Sequence, residues 1–257
     1  MTQATLTGQD ILFRSHGLLG VNKPAGTPVH GSRMLEDQPQ TLLSQVRHLE
    51  GYMVHAIHRL DRPVSGVMLM TGDRDRLKEL GRAFENRKIR KCYLAVARGW
   101  TPAQGTISHE LLPPKDERKA GSVAREAITH FEQIARAETP HAVKPYSSSR
   151  YSLLALYPET GRRHQLRRHL KHISHHLAGD TTYGRGEHNR LFREVFACHR
   201  LLLHAWSLEF LEPQEENPVR IEAPLDQEFS RIVEVFGWNE ALSAWNTERL
   251  RTFRERW

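Results

Sequence analysis

The sequence has few of the residues that mark secreted or metal-binding proteins. It contains two cysteines, Cys92 and Cys198, which lie too far apart to form a Cys-x-x-Cys pair. This spacing argues against a disulfide framework and against a thiolate zinc site. A reduced cytoplasm is therefore the simplest compartment to expect.

Long apolar runs are also missing. No run is long enough to span a bilayer, and the first residues, 1–10, are polar without an apolar core. We therefore expect a soluble protein that is not exported. The His-Glu-x-x-His pattern of zinc proteases and the Gly-x-Ser-x-Gly pattern of serine hydrolases are absent too. Their absence argues against both kinds of hydrolase.

Acidic residues are the minority among the charged ones. The chain has 37 Lys and Arg against 30 Asp and Glu, a formal net charge of +7 over 257 residues. An excess of positive charge favours an anionic partner, and nucleic acid is the first candidate. The length suffices for a substantial core, and no internal repeat stands out, so a single domain over 1–257 is predicted.

The most informative stretch is His-Arg-Leu-Asp-Arg-Pro-Val-Ser-Gly at 58–66. Apolar residues precede and follow it, and Pro63 breaks the chain between them, which predicts strand, tight turn, strand. Asp61 would lie on a constrained loop, where rigid scaffolds often present reactive side chains. Arg59 and Arg62 flank this carboxylate and would favour its ionised form. The alternative is a solvated turn with a surface ion pair.

The densest basic stretch is Thr-Gly-Arg-Arg-His-Gln-Leu-Arg-Arg-His at 160–169. A helix is predicted to start near His164. Its apolar stripe consists of Leu166, Leu170, Ile173 and Leu177. Positive charge at a helix start opposes the macrodipole, so an RNA phosphate or a buried carboxylate would be needed to explain it.

Histidines are concentrated in the same region. His169, His172 and His176 could share a helical face, a pattern that would suit a metal site. No carboxylate is interleaved between them, so hydrogen bonding to the backbone or to RNA is the favoured interpretation and no metal is predicted.

Apolar periodicity and chain breakers predict the remaining elements. Strands are predicted at 11–29 (a pair with its turn at 22–26), 89–99, 127–135 and 151–157. Helices are predicted at 41–49, after a capping Asp73, and at 236–257, where the pattern is amphipathic. The stretch 113–145 is predicted to be a charged excursion from the main sheet, either RNA-facing or simply solvated.

Several of these stretches resemble, in order, the motifs of the RluA-type pseudouridine synthases. They are Asn-Lys-Pro-Ala-Gly at 22–26, the stretch 58–66, Lys-Cys-Tyr-Leu-Ala-Val-Ala-Arg-Gly at 91–99, the stretch 160–169, Gly-Asp-Thr-Thr-Tyr-Gly at 179–184 and Arg-Leu-Leu-Leu-His-Ala at 200–205. The resemblance runs from about 11 to 209. The family usually has Thr where this chain has Val64, which removes one hydroxyl from the loop.

The resemblance implies a fold, a reaction and a set of catalytic residues. The fold would be α+β, with a long, bent, mostly antiparallel mixed sheet flanked by helices and loops and an active cleft across its middle. The reaction would isomerise uridine in RNA to pseudouridine without redox change, so no cofactor and no metal are expected. Asp61 would be the catalytic carboxylate, Tyr93 would stack on the uracil, and Arg167 would pair with the aspartate.

The resemblance also implies residues that contact RNA. Leu203 and His204 would line the uracil pocket, and Arg59 would fill the space that the flipped base leaves. The predicted RNA-binding residues are Arg59, Arg62, Arg162, Arg163, His164, Arg168 and Lys171.

Local features indicate which branch of the family the chain is similar to. Those at 98–100, 149–151, 163–170 and 189–190 favour a branch that modifies a T-stem uridine of tRNA beside the acceptor stem. No S4-type RNA-binding module is expected before the first motif, and a monomer is expected. An rRNA or dual-substrate synthase is the main alternative. A non-catalytic RNA-binding protein and a metal-dependent hydrolase are alternatives of other classes.

Overall fold

The computed structural model describes residues 5–31, 41–212 and 217–256. The chain forms two compact units: unit 1 comprises Met1–Lys91 and His204–Asp226, and unit 2 comprises Cys92–Leu203 and Gln227–Trp257. The described residues contain ten strands and six α-helices, which confirms the predicted α+β class. The single-domain assignment stays a prediction. None of the helices in the described ranges is long and apolar enough to cross a membrane.

Unit 1 is built around a strand that is buried along its whole length. Its strands are β1 (Ile11–Ser15), β2 (Leu18–Lys23), β3 (His55–Ala56), β4 (Ser65–Thr71), β9 (Leu203–Leu211, whose first residue belongs to unit 2) and β10 (Pro218–Glu222). The order is β1-β2-β4-β9, with β3 on β4 and β10 on β9. β4 pairs in parallel with β9 and antiparallel with β2 and β3. Every residue of β4 is buried, so this strand forms the centre of the unit.

The first hairpin corrects one prediction. β1 and β2 are joined at His16 and Gly17, which both have positive φ values of 43° and 76°. Two positive φ angles suit the tight turns that match the twist of a hairpin. The predicted turn at 22–26 is therefore wrong as the hairpin connection. Its Asn, Pro and Gly lie where the chain leaves β2, and Gly26 has a φ of 85°.

The two helices of unit 1 follow their caps. Helix α1 (Leu42–Glu50) starts after Thr41, whose hydroxyl accepts the N–H of Ser44 at 3.1 Å. Helix α2 (Arg74–Glu85) starts after Asp73, whose carboxylate accepts the N–H groups of Asp75 and Arg76. Both helix predictions are confirmed, because a side chain at the cap satisfies N–H groups that the helix itself leaves without partners.

Unit 2 contains a four-stranded antiparallel arrangement and four helices. The strands are β5 (Arg90–Arg98), β6 (Gln104–Ser108), β7 (Ile128–Thr139) and β8 (Ser149–Pro158), in the order β5-β8-β7-β6. The helices are α3 (Gln165–His172), α4 (Gly186–Glu194), α5 (Gln227–Val235) and α6 (Asn239–Arg256). The strands predicted at 89–99, 127–135 and 151–157 are confirmed.

Helix α3 is shorter than the apolar stripe predicted. It ends at His172, and Ser174 takes a left-handed φ of 64°, which stops the helix. Leu177 instead forms an antiparallel bridge with Ala97. Because His176 also lies beyond the helix, the helical face that three histidines were expected to share is wrong.

The C-terminal helix contacts β7 through one carboxylate. Glu132 accepts hydrogen bonds from the Tyr157 hydroxyl at 2.8 Å and from the Trp245 indole. Arg249 forms an ion pair with the same carboxylate at 3.3 Å. The predicted helix at 236–257 is confirmed over α6, although none of its residues is fully buried.

Candidate active site

Asp61 lies on the loop between β3 and β4. It is half-buried, and the Val64 N–H donates to its carbonyl oxygen at 3.0 Å, which closes a turn. Leu60 and Val64 are 6% and 3% exposed, so they anchor both sides of the turn in the core. The predicted strand, turn, strand is confirmed, and the loop presents Asp61 from a fixed base.

A buried lysine holds this loop in place. Lys23 has no exposed surface, and its Nζ donates to the carbonyl oxygens of Pro24, Arg62 and Val64 at 2.8, 3.1 and 2.7 Å. These contacts match the three donors of an ammonium group. Gly26 adds two hydrogen bonds to Arg62, one through its N–H and one through its carbonyl oxygen. Sequence reasoning missed Lys23, whose only signal was its place in the first motif.

Behind the loop, β4 and β9 approach very closely. Gly66 has a φ of 110°, and a Cβ there would lie 2.2 Å from the carbonyl oxygen of Ala205. Only glycine fits both conditions. The backbone of the loop therefore enters β4 in one fixed way.

His204, a predicted pocket residue, lies in the interior of unit 1. Its Nδ1 is 2.7 Å from the Ser65 hydroxyl, and its Nε2 is 3.0 Å from the carbonyl oxygen of Ala223. Because a carbonyl only accepts, Nε2 carries a proton. The Ser65 hydroxyl is also 3.3 Å from Asp226, so this buried network braces the start of β4. Leu203 is 2% exposed.

His58 anchors the beginning of the loop as a neutral side chain. Burial, with a smaller contribution from the charge of Lys91, lowers the pKa of His58 to about 3. Its Nε2 accepts the backbone N–H of Leu69 at 3.0 Å, and its ring packs 4.5 Å from Phe84. His58 therefore holds the backbone that precedes Asp61 in place.

Arg167 is held by a carboxylate within unit 2. It is 5% exposed, and its Nε and Nη2 donate to the two oxygens of Asp180 at 2.7 and 2.8 Å. Its guanidinium carbon lies 5.0 Å from the centre of the Tyr183 ring. A buried carboxylate was one of two explanations for the positive charge of this helix, and Asp180 is such a group. The sequence analysis identified the motif at 179–184 but did not predict that its Asp180 pairs with Arg167.

Asp180 is itself fixed by its own loop. Its carboxylate accepts the N–H groups of Thr182 and Tyr183, both at 2.9 Å. Burial alone would raise the pKa of Asp180, but the hydrogen bond and charge of Arg167, with the two amides, lower it below its usual value. Asn189 bonds the Gly179 N–H and the Asp180 carbonyl oxygen. The orientation of Arg167 is therefore determined by a rigid loop.

Tyr93 lies on β5. It is half-buried and stands opposite Leu156 of β8.

The predicted RNA-binding residues differ in their surroundings. Arg59, Arg62 and Lys171 are exposed. His164 has a φ of 57° and its Nδ1 is 2.9 Å from the Tyr183 hydroxyl.

The other three contact the charged excursion or the residue just before it. Arg162 donates to the carbonyl oxygen of Glu126 and Arg168 to that of Leu112. Arg163 forms ion pairs with Asp116 and Glu117 at 2.8 and 2.7 Å. These intramolecular partners were not predicted, because they lie some 40 to 60 residues away in sequence.

Two of the clustered histidines bond to the backbone. His175 Nδ1 is 2.8 Å from the carbonyl oxygen of Arg98, and His169 Nε2 is 3.1 Å from that of His109. Of the two predicted partners, backbone or RNA, the structure shows the backbone for both histidines.

A family model described as RNA pseudouridylate synthase matches residues 17–172, more than half of the chain. The chain belongs to this family. It is therefore an RNA uridine isomerase, and the resemblance inferred from the motifs is confirmed. The match contains the Asp61 loop, the strand of Tyr93 and helix α3.

Individual relatives extend the similarity over the length of the chain. The chain is 37% identical over 238 residues to tRNA pseudouridine synthase C of Vibrio cholerae, covering 91% of this chain and 98% of the relative. It is 39% identical over 236 residues to tRNA pseudouridine synthase C of Haemophilus ducreyi, covering 90% and 96%.

Solved structures support the fold. Human RNA pseudouridylate synthase domain containing 4 is similar with a TM-score of 0.66 and 25% identity, covering 88% of this chain and 92% of the other. Human RNA pseudouridylate synthase domain containing 1 is similar with a TM-score of 0.65 and 26% identity, covering 84% and 83%. The predicted pseudouridine synthase fold is confirmed.

Proposed function

We propose that this member of the family acts on tRNA and converts the T-stem uridine beside the acceptor stem to pseudouridine. The observation that carries the proposal is the similarity to enzymes named tRNA pseudouridine synthase C along nine tenths of the chain. The branch features in the sequence favour the same substrate. We propose further that the enzyme works as a monomer in the cytoplasm.

The chemistry assigned to Asp61 is that of an ionised carboxylate. The bond between N1 of uracil and C1′ of ribose breaks, the uracil turns, and C5 forms the new bond to C1′ while the C5 proton is released. Asp61 either attacks C1′ or assists deprotonation of the sugar, and both routes need a negatively charged oxygen. The loop that carries Asp61 is suited to this role, because Lys23 and Gly26 fix its backbone.

The resemblance to the family implies supporting roles for Arg167 and Tyr93. Arg167 orients and stabilises the Asp61 carboxylate, and its own guanidinium is pre-organised because Asp180 and Tyr183 hold it. Such support keeps catalytic groups close to their productive geometry. Tyr93 stacks on the uracil and stands near the C5 proton that is lost in the last step.

A uridine in a stem must leave the helix before it can react. Flipping a base out costs a few kcal/mol, and Arg59, which is exposed and close to Asp61 in sequence, fills the vacated space. Leu203 lines the uracil pocket. His204 supports that pocket from behind, through its hydrogen bond to Ser65.

The other predicted RNA contacts act by charge. Arg62, Arg162, Arg168 and Lys171 bind phosphates of the RNA backbone, His164 contacts the RNA by hydrogen bonding, and Arg163 joins them by exchanging its ion pairs with Asp116 and Glu117 for a phosphate. The affinity should therefore fall as the salt concentration rises.

The decisive experiment compares the natural chain with Asp61→Asn. We expect tritium release from C5-labelled, unmodified tRNA to fall by at least about a thousandfold, since the carboxamide is nearly isosteric but lacks the charge. The tRNA affinity should stay within a few fold. Turnover by Asp61→Asn near the natural rate would refute the catalytic assignment.

Parallel reactions with rRNA, followed by mapping of the modified position, test the substrate. Release from tRNA at the T stem supports the proposal. Asp61-dependent release from rRNA alone would keep the reaction and replace the substrate. Binding of RNA without release from either would leave a non-catalytic RNA-binding protein.

A further inference from the structure

An exposed tryptophan on unit 2 holds two arginines. Trp100 lies just after the end of β5 and is 38% exposed. The guanidinium carbons of Arg136 and Arg150 lie 4.8 and 4.2 Å from the centre of its ring. Tryptophan is the aromatic side chain that attracts a cation most strongly. These three residues, Trp100, Arg136 and Arg150, are called the tryptophan platform below.

The ring of the platform is held by two strands. The indole N–H of Trp100 donates to the carbonyl oxygen of Ala137 on β7 at 3.2 Å. The N–H of Gly99 donates to the carbonyl oxygen of Arg150 on β8 at 2.7 Å. Because both the ring and the backbone before it are attached, the ring offers the two arginines a fixed surface.

The two arginines differ in their charged partners. Arg150 Nε lies 3.2 Å from Glu138 Oε2, so the charge of Arg150 is balanced. Arg136 is exposed and forms no ion pair within 5–31, 41–212 and 217–256. A guanidinium that stacks on an aromatic face keeps N–H donors that match the geometry of a phosphate. Arg136 is therefore a cation that is held in place and available to an anion.

The platform lies on the same face of the sheet as Tyr93. Side chains alternate between the two faces along a strand, and residues directly opposite each other on neighbouring strands share a face. Tyr93 is opposite Leu156, and Arg136 is opposite Ser152, four residues earlier on β8. Arg150 is two residues before Ser152. An even separation along β8 places all of them on one face.

The opposite face of the same strands is covered by a helix. Tyr151 alternates with its neighbours on β8, and its ring packs 5.0 Å from that of Phe192 on α4. An RNA bound at Tyr93 therefore approaches the face that carries the platform.

The distance along the strand indicates which part of the RNA the platform meets. Leu156, opposite Tyr93, and Arg150 are six residues apart, which corresponds to about 20 Å of strand. A base-paired stem continues beyond its target uridine and carries a phosphate at every nucleotide. Double-stranded RNA is recognised mainly by its shape and its phosphates, so a contact at this distance suits a stem substrate.

We propose that the tryptophan platform is a second RNA contact, in which Arg136, positioned by Trp100, binds a phosphate about 20 Å from the target uridine. The inference rests on the proposed function, since it takes the ligand to be the substrate RNA. Trp100 and Arg150 come from two of the branch features, those at 98–100 and 149–151, and this contact gives both a shared role. A phosphate contact sets the register of an RNA without reading its bases. The platform therefore helps to determine which uridine of a stem reacts.

The test is the salt dependence of tRNA binding by the full chain. Arg136→Gln should weaken binding of an unmodified tRNA transcript about fivefold at low salt and reduce the slope of log affinity against log salt by about 0.9. Arg136→Lys keeps the charge and should keep the slope. Tritium release at saturating tRNA should be unchanged in both variants, since Arg136 takes no part in the reaction, and the loss should appear in KM.

Arg193→Gln is the matched control. Arg193 is an exposed cation on α4, the helix that covers the opposite face, and it too forms no ion pair in the part of the chain that the structure describes. Its replacement removes the same charge from the side away from Tyr93. We expect the affinity and the slope of the natural chain, and thermal unfolding would verify that every variant keeps its fold.

A double-mutant cycle tests the positioning by the ring. Trp100→Leu removes the ring and keeps both guanidinium groups. In that background, Arg136→Gln should weaken binding by only about twofold, because the arginine has already lost its support and the two changes are coupled. A fivefold effect in both backgrounds would refute the role of Trp100.

Two outcomes separate this contact from the proposed function. If Arg136→Gln binds tRNA as Arg193→Gln does, the platform is refuted as an RNA contact, while tritium release by the natural chain would still support the function. If the natural chain releases no tritium but Arg136→Gln lowers the salt slope and Arg193→Gln does not, the contact stands and the proposed reaction does not.

Discussion

Each unit of the molecule contains a deeply buried arginine paired with a carboxylate. In unit 2, Arg167 and Asp180 have side chains 5% and 1% exposed. In unit 1, Arg76 and Glu212 have side chains 2% and 1% exposed. The two pairs are alike in burial and in charge.

They differ in how completely the guanidinium is hydrogen-bonded. Arg167 binds both oxygens of Asp180, and the ring of Tyr183 lies beneath it. Arg76 donates from Nη1 to Glu212 at 2.6 Å, while its buried Nε and Nη2 have no hydrogen-bond partner among the residues that the structure describes. A buried donor without a partner costs about 1–3 kcal/mol.

The two pairs therefore differ in hydrogen bonding and not in burial. A bidentate pair on a rigid loop fixes the direction of the guanidinium, which is what a catalytic partner requires. A pair with one hydrogen bond joins α2 to the segment after β9 but leaves two donors of the arginine unused. Replacing the members of each pair should therefore give different results.

The largest contrast is expected between Arg167→Ala and Arg76→Ala. Each leaves a buried carboxylate without its arginine, so each should lower the free energy of unfolding by about 3–5 kcal/mol. Only Arg167→Ala should also reduce kcat of the folded enzyme, by on the order of 100-fold, because Asp61 would be misplaced. Urea unfolding and tritium release at low temperature would measure the two effects. Equal kcat values in both variants would reduce Arg167 to a structural residue.

A smaller effect is expected when both members of a pair become apolar. Arg76→Met with Glu212→Leu removes the unsatisfied donors together with the charges. This double variant should unfold at the same free energy as the natural chain or be up to about 3 kcal/mol more stable.

Arg167→Met with Asp180→Leu is the matched comparison. It should be less stable than the natural chain, since Thr182 and Tyr183 lose the acceptor of their N–H groups. Equal free energies of unfolding in the two double variants would contradict the distinction drawn between the pairs.

A further effect concerns pH, through one buried histidine taken from each unit. Burial lowers the pKa of His58 in unit 1 to about 3 and that of His169 in unit 2 to about 4. Both bind a proton more weakly when folded than when unfolded, where the pKa is about 6.5. Their contribution to stability is therefore complete above about pH 6.5 and is lost as the pH falls towards 4 and then 3.

Unfolding by urea at pH 7, 6 and 5 would measure this loss. Each histidine should contribute a slope of up to about 1.4 kcal/mol per pH unit. His169→Gln should flatten the dependence by the share of His169 and leave the shares of His58 and of His188, whose pKa burial also lowers to about 4. A stability that stays constant between pH 7 and pH 5 would show that neither histidine is held neutral by the fold.

Local features of the structure could be predicted from neighbouring residues alone. The helix at 41–49 is predicted from its apolar spacing, whereas Asp73 is predicted to cap α2 because a cap depends on residues two or three positions away. The turn that carries Asp61 was predicted from Pro63 for the same reason. The resemblance to the family rests on several motifs that follow one another in the family's order. That resemblance predicted the fold and the reaction, which apolar periodicity alone could not predict.

Features that depend on distant residues were missed. The burial of Lys23 follows from carbonyl groups 39 and 41 residues later, and a lysine in a sequence carries no sign that it will be buried. The end of α3 was misplaced because Leu177 keeps the apolar spacing while the backbone turns at Ser174. The roles of Asp61, Tyr93 and Arg167 in catalysis stay predictions that the variants above address.

The attachment of α6 through Glu132 has a consequence for how the molecule opens. The 18-residue helix has no fully buried side chain and packs through half-buried ones such as Leu242 and Trp245, and its polar contacts with β7 converge on one carboxylate. Segments with few buried apolar contacts exchange their amide hydrogens through local opening, independently of global unfolding. The C-terminal helix should therefore behave as a separate foldon that detaches and returns while the strands beneath it stay closed.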